Sequence, residues 1–324
     1  LLPEAWDTLA SSFFQTRAFL AHAERTNPCG QRYYTLEPAG RVTAGAVVYD
    51  IRLDLLTYRG IRSPLPMCVL GLPCSVGVPG LLGPPADHLP LLRTIRDHEP
   101  GLLWIGLNLE APLAIQGLPQ GPTLPTAVLR RPFADLAAYR RTLRSDYRRR
   151  FDRIRTAFEG VREDWIPCAA FDADMYRLYH EAWTRSDARL ELLPRPFFEG
   201  LPEPFSLTRF ERGGRLVAWH LCAFEPGCCT FFMGGVEQAT KERHRAYHNL
   251  LFSVLERAFA AGCGVVDLGQ TAEIAKTRAG AVLEARHMFA WPRFPPLRSL
   301  MRRAEGLLAW RGIVPTPRVF GNPG

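Results

Sequence analysis

The residues with the greatest chemical potential lie near the end of the chain. Lys276 is one of only two lysines, with Lys241, among forty basic residues. Asp267 sits in the apolar run Val265-Val266-Asp267-Leu268-Gly269, and Glu273 stands in the loop after it. An ammonium group near carboxylates can stabilise developing negative charge or pass a proton, two tasks central to polar catalysis. His220 lies between Trp219 and Leu221 in a strand-like segment. It is either a base facing a cleft or a histidine satisfied in the core. The sequence holds no Ser-His-Asp order, phosphate loop, dinucleotide glycine fingerprint or H-E-x-x-H pair, which sets aside hydrolase, kinase and dehydrogenase chemistry.

Two basic clusters stand beside these residues. Leu136, Tyr139, Leu143, Tyr147, Phe151, Ile154 and Phe158 recur at helical spacing, with Asp135 as N-cap and Gly160 as terminator. Off that stripe lie eight arginines, including Arg141, Arg144, Arg148 and Arg149, against only Asp146, Asp152 and Glu159. A solvated face with i,i+4 ion pairs is the plain reading. Eight against three exceeds what pairing needs, so an anion-binding face is expected. Lys241, Arg243, His244, Arg245 and His248 form a second cluster where a helix begins, a place that favours phosphate. The net charge of +8 and pI near 9.3 suit RNA, acidic membrane surfaces or phosphorylated substrates.

The elements that must position these groups are clearest in the second half. Residues 207–211, 215–224 and 228–236 read as a three-stranded meander, with turns at Arg212-Gly213-Gly214 and Glu225-Pro226-Gly227. A helix follows over 247–260, ended by Gly262, and then a buried strand at 265–269. Helical patterns at 172–183 and 196–200 precede the meander. The first half repeats the theme with strands at 32–37, 41–51 and 102–109 and a helix at 89–97. The segment Ala39-Gly40-Arg41-Val42-Thr43-Ala44 even aligns with Gly213-Gly214-Arg215-Leu216-Val217-Ala218, which points to a tandem duplication. Residues 291–324 read as a proline-punctuated tail with a short helix at 297–310, packing across the body and then fraying.

Composition bounds the rest. At 324 residues with 47% hydrophobic and 22% charged residues, the chain is long enough for two ordinary globular domains. The eight cysteines show no C-x-x-C pair and no zinc spacing, so no metal site is expected, and a reducing, cytoplasmic setting fits them. Residues 65–83 are almost wholly apolar but broken by Pro66, Gly71, Pro73, Gly77, Pro79 and Gly80, so they read as strands and turns rather than a membrane span. The chain begins at Leu1 rather than methionine, leaving upstream residues open, and these residues show no signal-peptide pattern.

The stretch 246–280, with its helix, Gly262-Cys263-Gly264, the Val266-Asp267-Leu268-Gly269-Gln270-Thr271 strand and Ala275-Lys276-Thr277-Arg278-Ala279-Gly280, resembles the FemAB-like branch of the GNAT acyltransferases. The arginine-rich helix is similar to one this family carries between two halves, and Trp6 to Glu24 resembles its opening. The resemblance implies an α/β protein of tandem GNAT-like domains, each a mostly antiparallel central sheet flanked by helices. Expected boundaries are 1–132 and 161–292 for the domains, 133–160 for the linker helix and 293–324 for the tail.

It further implies an acyltransferase that forms an amide on a small amine acceptor, in natural-product or cell-envelope biosynthesis. Lys276, Asp267, Glu273 and His220 are its expected catalytic residues. Ordinary members seat CoA pyrophosphate on an R/Q-x-x-G-x-G/A turn, whereas Lys241-Glu242-Arg243-His244-Arg245-Ala246-Tyr247 has no glycine. No tightly bound cofactor is therefore expected. Aminoacyl-tRNA is the leading donor, with Arg141, Arg144, Arg148, Arg149, Lys241, Arg243, His244 and Arg245 on its phosphates and the acceptor between the halves. The alternatives are an acyl-CoA or acyl-carrier-protein donor, or a non-catalytic module that binds RNA or a membrane surface.

Overall fold

The computed structural model describes residues 2–61, 64–187 and 189–321. The chain forms two compact units, each discontinuous in sequence. One takes Leu1–Pro125, Asp187–Phe197 and Ala285–Gly312; the other takes Thr126–Ser186, Phe198–Glu284 and Ile313–Gly324. The arginine-rich stretch thus belongs to the second unit.

In the first unit α1 (Arg17–Thr26) starts where the Thr16 side chain accepts from the Phe19 amide, and it buries Phe19, Leu20 and Ala23. β1 (Arg32–Leu36) and β2 (Ala44–Asp54) form an antiparallel hairpin. β3 (Pro64–Leu70) and the two-residue β4 (Leu81–Leu82) divide the opposite edge of β2 between them. The apolar run between β3 and β4 closes on itself, because Gly71 donates to Val47 and Gly80 accepts from it. α2 (Pro85–His98) then crosses over to β5 (Leu103–Leu109), which runs parallel to β3. Apolar residues cover both faces of these strands, with Trp104 and Leu109 on one and Ile105 and Leu107 on the other. Burial on both faces explains why the sequence reads as unbroken apolar runs.

β6 (Gln120–Leu129) leads into the second unit. There follow α3 (Leu136–Thr142), α4 (Ser145–Thr156), β7 (Arg162–Ile166), α5 (Ala173–Arg185) and α6 (Arg195–Glu199). β8 (Phe205–Arg212), β9 (Arg215–Glu225) and β10 (Cys228–Val236) form the expected meander. Its first turn uses Gly213 and Gly214 at φ 56° and 73°, values a two-residue hairpin loop requires. α7 (Lys241–His244) and α8 (Ala246–Ala260) come next, then β11 (Val265–Asp267) and α9 (Glu273–Thr277). β11 lies parallel to β10 and antiparallel to β6, and β7 pairs antiparallel with β8. Within this unit the sheet is mixed and mostly antiparallel. β12 (Val282–Pro292) returns the chain to the first unit, antiparallel to β5, with Trp291 stacked on Trp104, and α10 (Pro295–Leu308) follows.

Three sequence expectations need correction. The stripe from Leu136 to Phe158 is two helices rather than one. Leu143 and Arg144 are extended, with ψ 141° and 155°, because the returning C-terminal segment pairs there. Leu143 bridges Phe320, the Arg144 amide donates to Val319 and Gly321 donates to Thr142. The short strand reading of 265–269 ends at Asp267, and the strands at 120–129, 162–166 and 282–292 were not anticipated. The tail does pack on the body through residues 319–321, while residues 322–324 lie outside the described residues. Among the described residues no helix is long and apolar enough to cross a membrane.

Tail and helices meet at Gly280, whose φ is 91° and where an added Cβ would lie 2.4 Å from Phe320 Cζ. Gly280→Ala therefore combines backbone strain with overpacking, and a urea titration should show a loss of about 1–3 kcal/mol. An unchanged midpoint would mean that the tail is not docked on this turn.

Candidate active site

Lys276 is the central group. It points inward from the one-and-a-half-turn α9 and is 2% exposed. Its Nζ donates to the Gln270 carbonyl at 2.6 Å and lies 5.9 Å from the Phe231 ring centre. Burial pushes the ammonium down to about 7, against the pull of Asp267 and Glu273, which favour its charged form. Such a lysine holds and releases its proton near neutrality, as a general acid or base must.

The loop that presents Gln270 is built for this contact. Gly269, Thr271 and Ala272 all have positive φ, at 73°, 62° and 51°. Two of them are not glycine, and such backbone strain gathers where a site over-determines its geometry. Asp267 Oδ1 fixes the entrance by accepting from the Gly269 amide at 2.7 Å and from Thr126 Oγ1 at 2.9 Å. The flanking backbone is pinned as well, with Ala127 donating to Gly269 and Leu268 donating to Ala127. Glu273 opens α9, half-buried. Lys276, Asp267 and Glu273 thus share one site.

His220 does not join them through a hydrogen bond. It is fully buried, with Nε2 3.0 Å from Ser253 Oγ and Nδ1 3.5 Å from Cys222 Sγ. Ser253 in turn donates to Glu163, which holds Arg257 at 2.8 Å. Burial first, then Arg257, push the imidazole down to about 3, with Glu163 opposing. The neutral ring ties β9 to α8 and β7, which is the core reading of this histidine.

The basic groups separate by partner. Arg140 is bidentate on Asp152 and Arg155 faces Glu256, as a solvated helix face would have it. Arg141, Arg144, Arg148 and Arg149 make no ion pair among the described residues. Arg243 and Arg245 are exposed and Lys241 partly so, Arg245 being paired with Glu242 at 3.1 Å. His244 is turned inward, 4% exposed, with Nδ1 3.2 Å from Arg212. Arg245 takes φ 48° at the start of α8, a left-handed turn made without glycine. Sequence reasoning passed over Thr126, Phe231 and Arg278, which stand in no spacing that marks them.

The family model described as acetyltransferase (GNAT) domain matches residues 137–277. Residues 137–277 thus match a GNAT domain, and the chain is an acyltransferase. The GNAT match contains every candidate catalytic and phosphate-binding residue named above. No curated protein is significantly similar in sequence. In structure the acyltransferase resembles FemX, with a TM-score of 0.57 and 10% identity over 90% of this chain and 94% of that one. It also resembles the C-terminal domain of a candidate lysylphosphatidylglycerol synthetase from Agrobacterium fabrum, with a TM-score of 0.54 and 12% identity over 98% of both chains. A conserved protein of unknown function from Bacteroides thetaiotaomicron gives 0.51 and 9% identity over 85% of this chain and 90% of that one. At such low identity these likenesses show a shared, FemAB-like fold.

The buried lysine of this acyltransferase makes a pH-dependent prediction. Below pH about 7 Lys276 is protonated in both states and the folded protein bears the full burial penalty. Between about 7 and the ordinary value of roughly 10.4 the unfolded chain holds a proton that the folded one lacks. Stability therefore rises with pH there, by up to about 1.4 kcal/mol per unit. Urea titrations from pH 6.5 to 9.5 should show wild type gaining on Lys276→Met as pH rises. A difference that stays flat would mean that the lysine titrates normally.

Proposed function

We propose that the protein forms an amide bond by transferring an aminoacyl or acyl group from a phosphate-bearing donor to a small amine, with aminoacyl-tRNA as the donor. The observation that carries this reading is the near-neutral Lys276, held in the fields of Asp267 and Glu273, in the same unit as Arg141, Arg144, Arg148 and Arg149, which make no ion pair among the described residues. The acceptor amine attacks the ester carbonyl, the carbon–oxygen bond to the ribose breaks, and the leaving oxygen takes a proton. Lys276 spends one N–H on Gln270, which leaves two for the developing oxyanion and the leaving oxygen. Asp267 and Glu273 orient the amine and accept the proton it sheds.

Support for RNA over a thioester comes from the start of α8. Ordinary GNAT sites hold pyrophosphate on glycine-freed amides, whereas this turn places Lys241, Arg243 and Arg245 around the helix start. Guanidinium groups at the surface suit a long polyanion better than a single buried cofactor. An acyl-CoA or acyl-carrier-protein donor is the second reading, favoured by the GNAT match itself.

Two variants test the proposal. Arg141→Glu, Arg148→Glu and Arg149→Glu together should leave the urea midpoint nearly unchanged, since charges off the apolar stripe, two of them exposed and Arg148 partly so, cost about 0.5 kcal/mol or less each. The same triple variant should bind tRNA at least about tenfold more weakly, and wild-type affinity should fall steeply with salt. Equal tRNA binding by variant and wild type removes the RNA reading, and tight CoA binding transfers the assignment to the thioester donor. Lys276→Met should lower kcat by about 10²–10⁴ with KM little changed, the pattern of a group that acts in the transition state.

A further inference from the structure

The basic stretch and the start of α8 meet in one concavity of the second unit. It is lined by Tyr147, Arg150, Phe151, His248, Phe252 and Arg278, among others. Arg150 comes from α4, His248 from α8, and Arg278 follows α9, so three elements separate in sequence converge there. None of these three residues pairs with a carboxylate among the described residues. Arg150 donates from Nη2 to Nε2 of His248 at 3.0 Å. Arginine has no acceptor, so the imidazole is neutral with its proton on Nδ1. The charges facing it are Arg150, Arg245 and Arg278, opposed by Glu242, which is itself bound to Arg245 at 3.1 Å. Burial and then these cations push His248 down to about 4, and burial followed by Arg278 and Arg245 weakens the hold of Arg150 on its own proton.

Arg150 and Arg278, neither paired with a carboxylate, repel one another, and the apolar Phe151 and Phe252 beside them strengthen that repulsion by excluding water. A ligand anion would relieve it. We propose that this concavity is a phosphate seat, in which Arg150 and Arg278 grip the oxygens of an RNA phosphodiester near the acceptor end and His248 positions Arg150. Planar guanidinium forks match phosphate oxygens in pairs. The seat rests on the reading that the basic surface faces a phosphate-bearing donor, and it assigns Arg150, Arg278 and His248 to that donor in place of a diffuse charged face. His248 acts as a positioning residue, since a neutral imidazole accepting from Arg150 fixes the fork.

The test uses the full chain with an acceptor-stem RNA minihelix and inorganic pyrophosphate as probes. Arg150→Gln/Arg278→Gln should weaken minihelix binding by about tenfold or more, the effect of losing charge-assisted hydrogen bonds. Pyrophosphate should displace the minihelix from wild type and not from what binding the variant retains. Arg93→Gln/Arg96→Gln removes the same net charge from α2 in the first unit and should bind like wild type. Should the double variant fail to fold, Arg278→Gln alone, exposed and unpaired, carries the comparison.

Equal minihelix affinity of the seat variant and the α2 control overturns the seat, even if aminoacyl transfer proceeds. Seat-dependent binding of the minihelix with no transfer from any aminoacyl-RNA keeps the seat and overturns the donor reading. Seat-dependent binding of CoA in place of the minihelix overturns the RNA assignment. His248→Gln, which retains an acceptor for Arg150, should keep most of the affinity, whereas His248→Leu should lose it. Equal affinity of these two overturns the positioning role.

Discussion

A single buried ammonium sets the demands that shape the second unit. Removing Lys276 from water costs several kcal/mol unless its charge is met by fixed partners. One carbonyl and the fields of two carboxylates meet it, and each requires its own piece of backbone. Bringing the Gln270 carbonyl within 2.6 Å of Nζ calls for a turn that passes through three residues of positive φ. Keeping that turn in place calls for Asp267 to end β11 where it can accept from the Gly269 amide. The brevity of β11, three residues between α8 and the loop, follows from this need.

The same logic explains how the helical layer is built. α8 buries eleven of its fifteen residues, so it must be covered on more than one side. The stripe of Tyr139, Leu143, Phe151 and Ile154 supplies one cover, and the returning tail supplies part of another through Phe320. A straight helix from Leu136 onward would leave no room for that tail at Leu143. Breaking the helix there gives the tail the Arg144 amide and the Thr142 carbonyl to pair with, so backbone hydrogen bonds lost to the helix are recovered elsewhere.

Much of this was legible in the sequence, and what was not has physical causes. The meander and α8 announced themselves because period-two and period-3.6 patterns are local, and Gly213, Gly214 and Gly262 mark their ends. The break at Leu143 left no trace, since its cause is a segment almost two hundred residues away. β6 was hidden by Pro122 and Pro125, which argue against a strand, and β12 by a mixed burial pattern that lacks alternation. Lys276, Asp267 and Glu273 could be singled out by scarcity and order. His220 could not be sorted by sequence between base and core, because the outcome depends on Ser253 and Glu163 lying opposite it.

The absence of glycine before α8 bears most directly on the donor. A glycine turn holds pyrophosphate with amides, which carry no net charge and need the phosphate to come close to the backbone. This chain reaches a left-handed turn at Arg245 while keeping a side chain there, and it surrounds the helix start with cations. Cationic side chains act over longer range and accept many phosphate positions, at the cost of mutual repulsion while the site is empty. That repulsion acts where Arg245 and Arg278 face Arg150. A protein that tolerates it gains attraction for an extended polyanion, and a donor whose charge is spread along a chain makes fuller use of that attraction than one compact diphosphate.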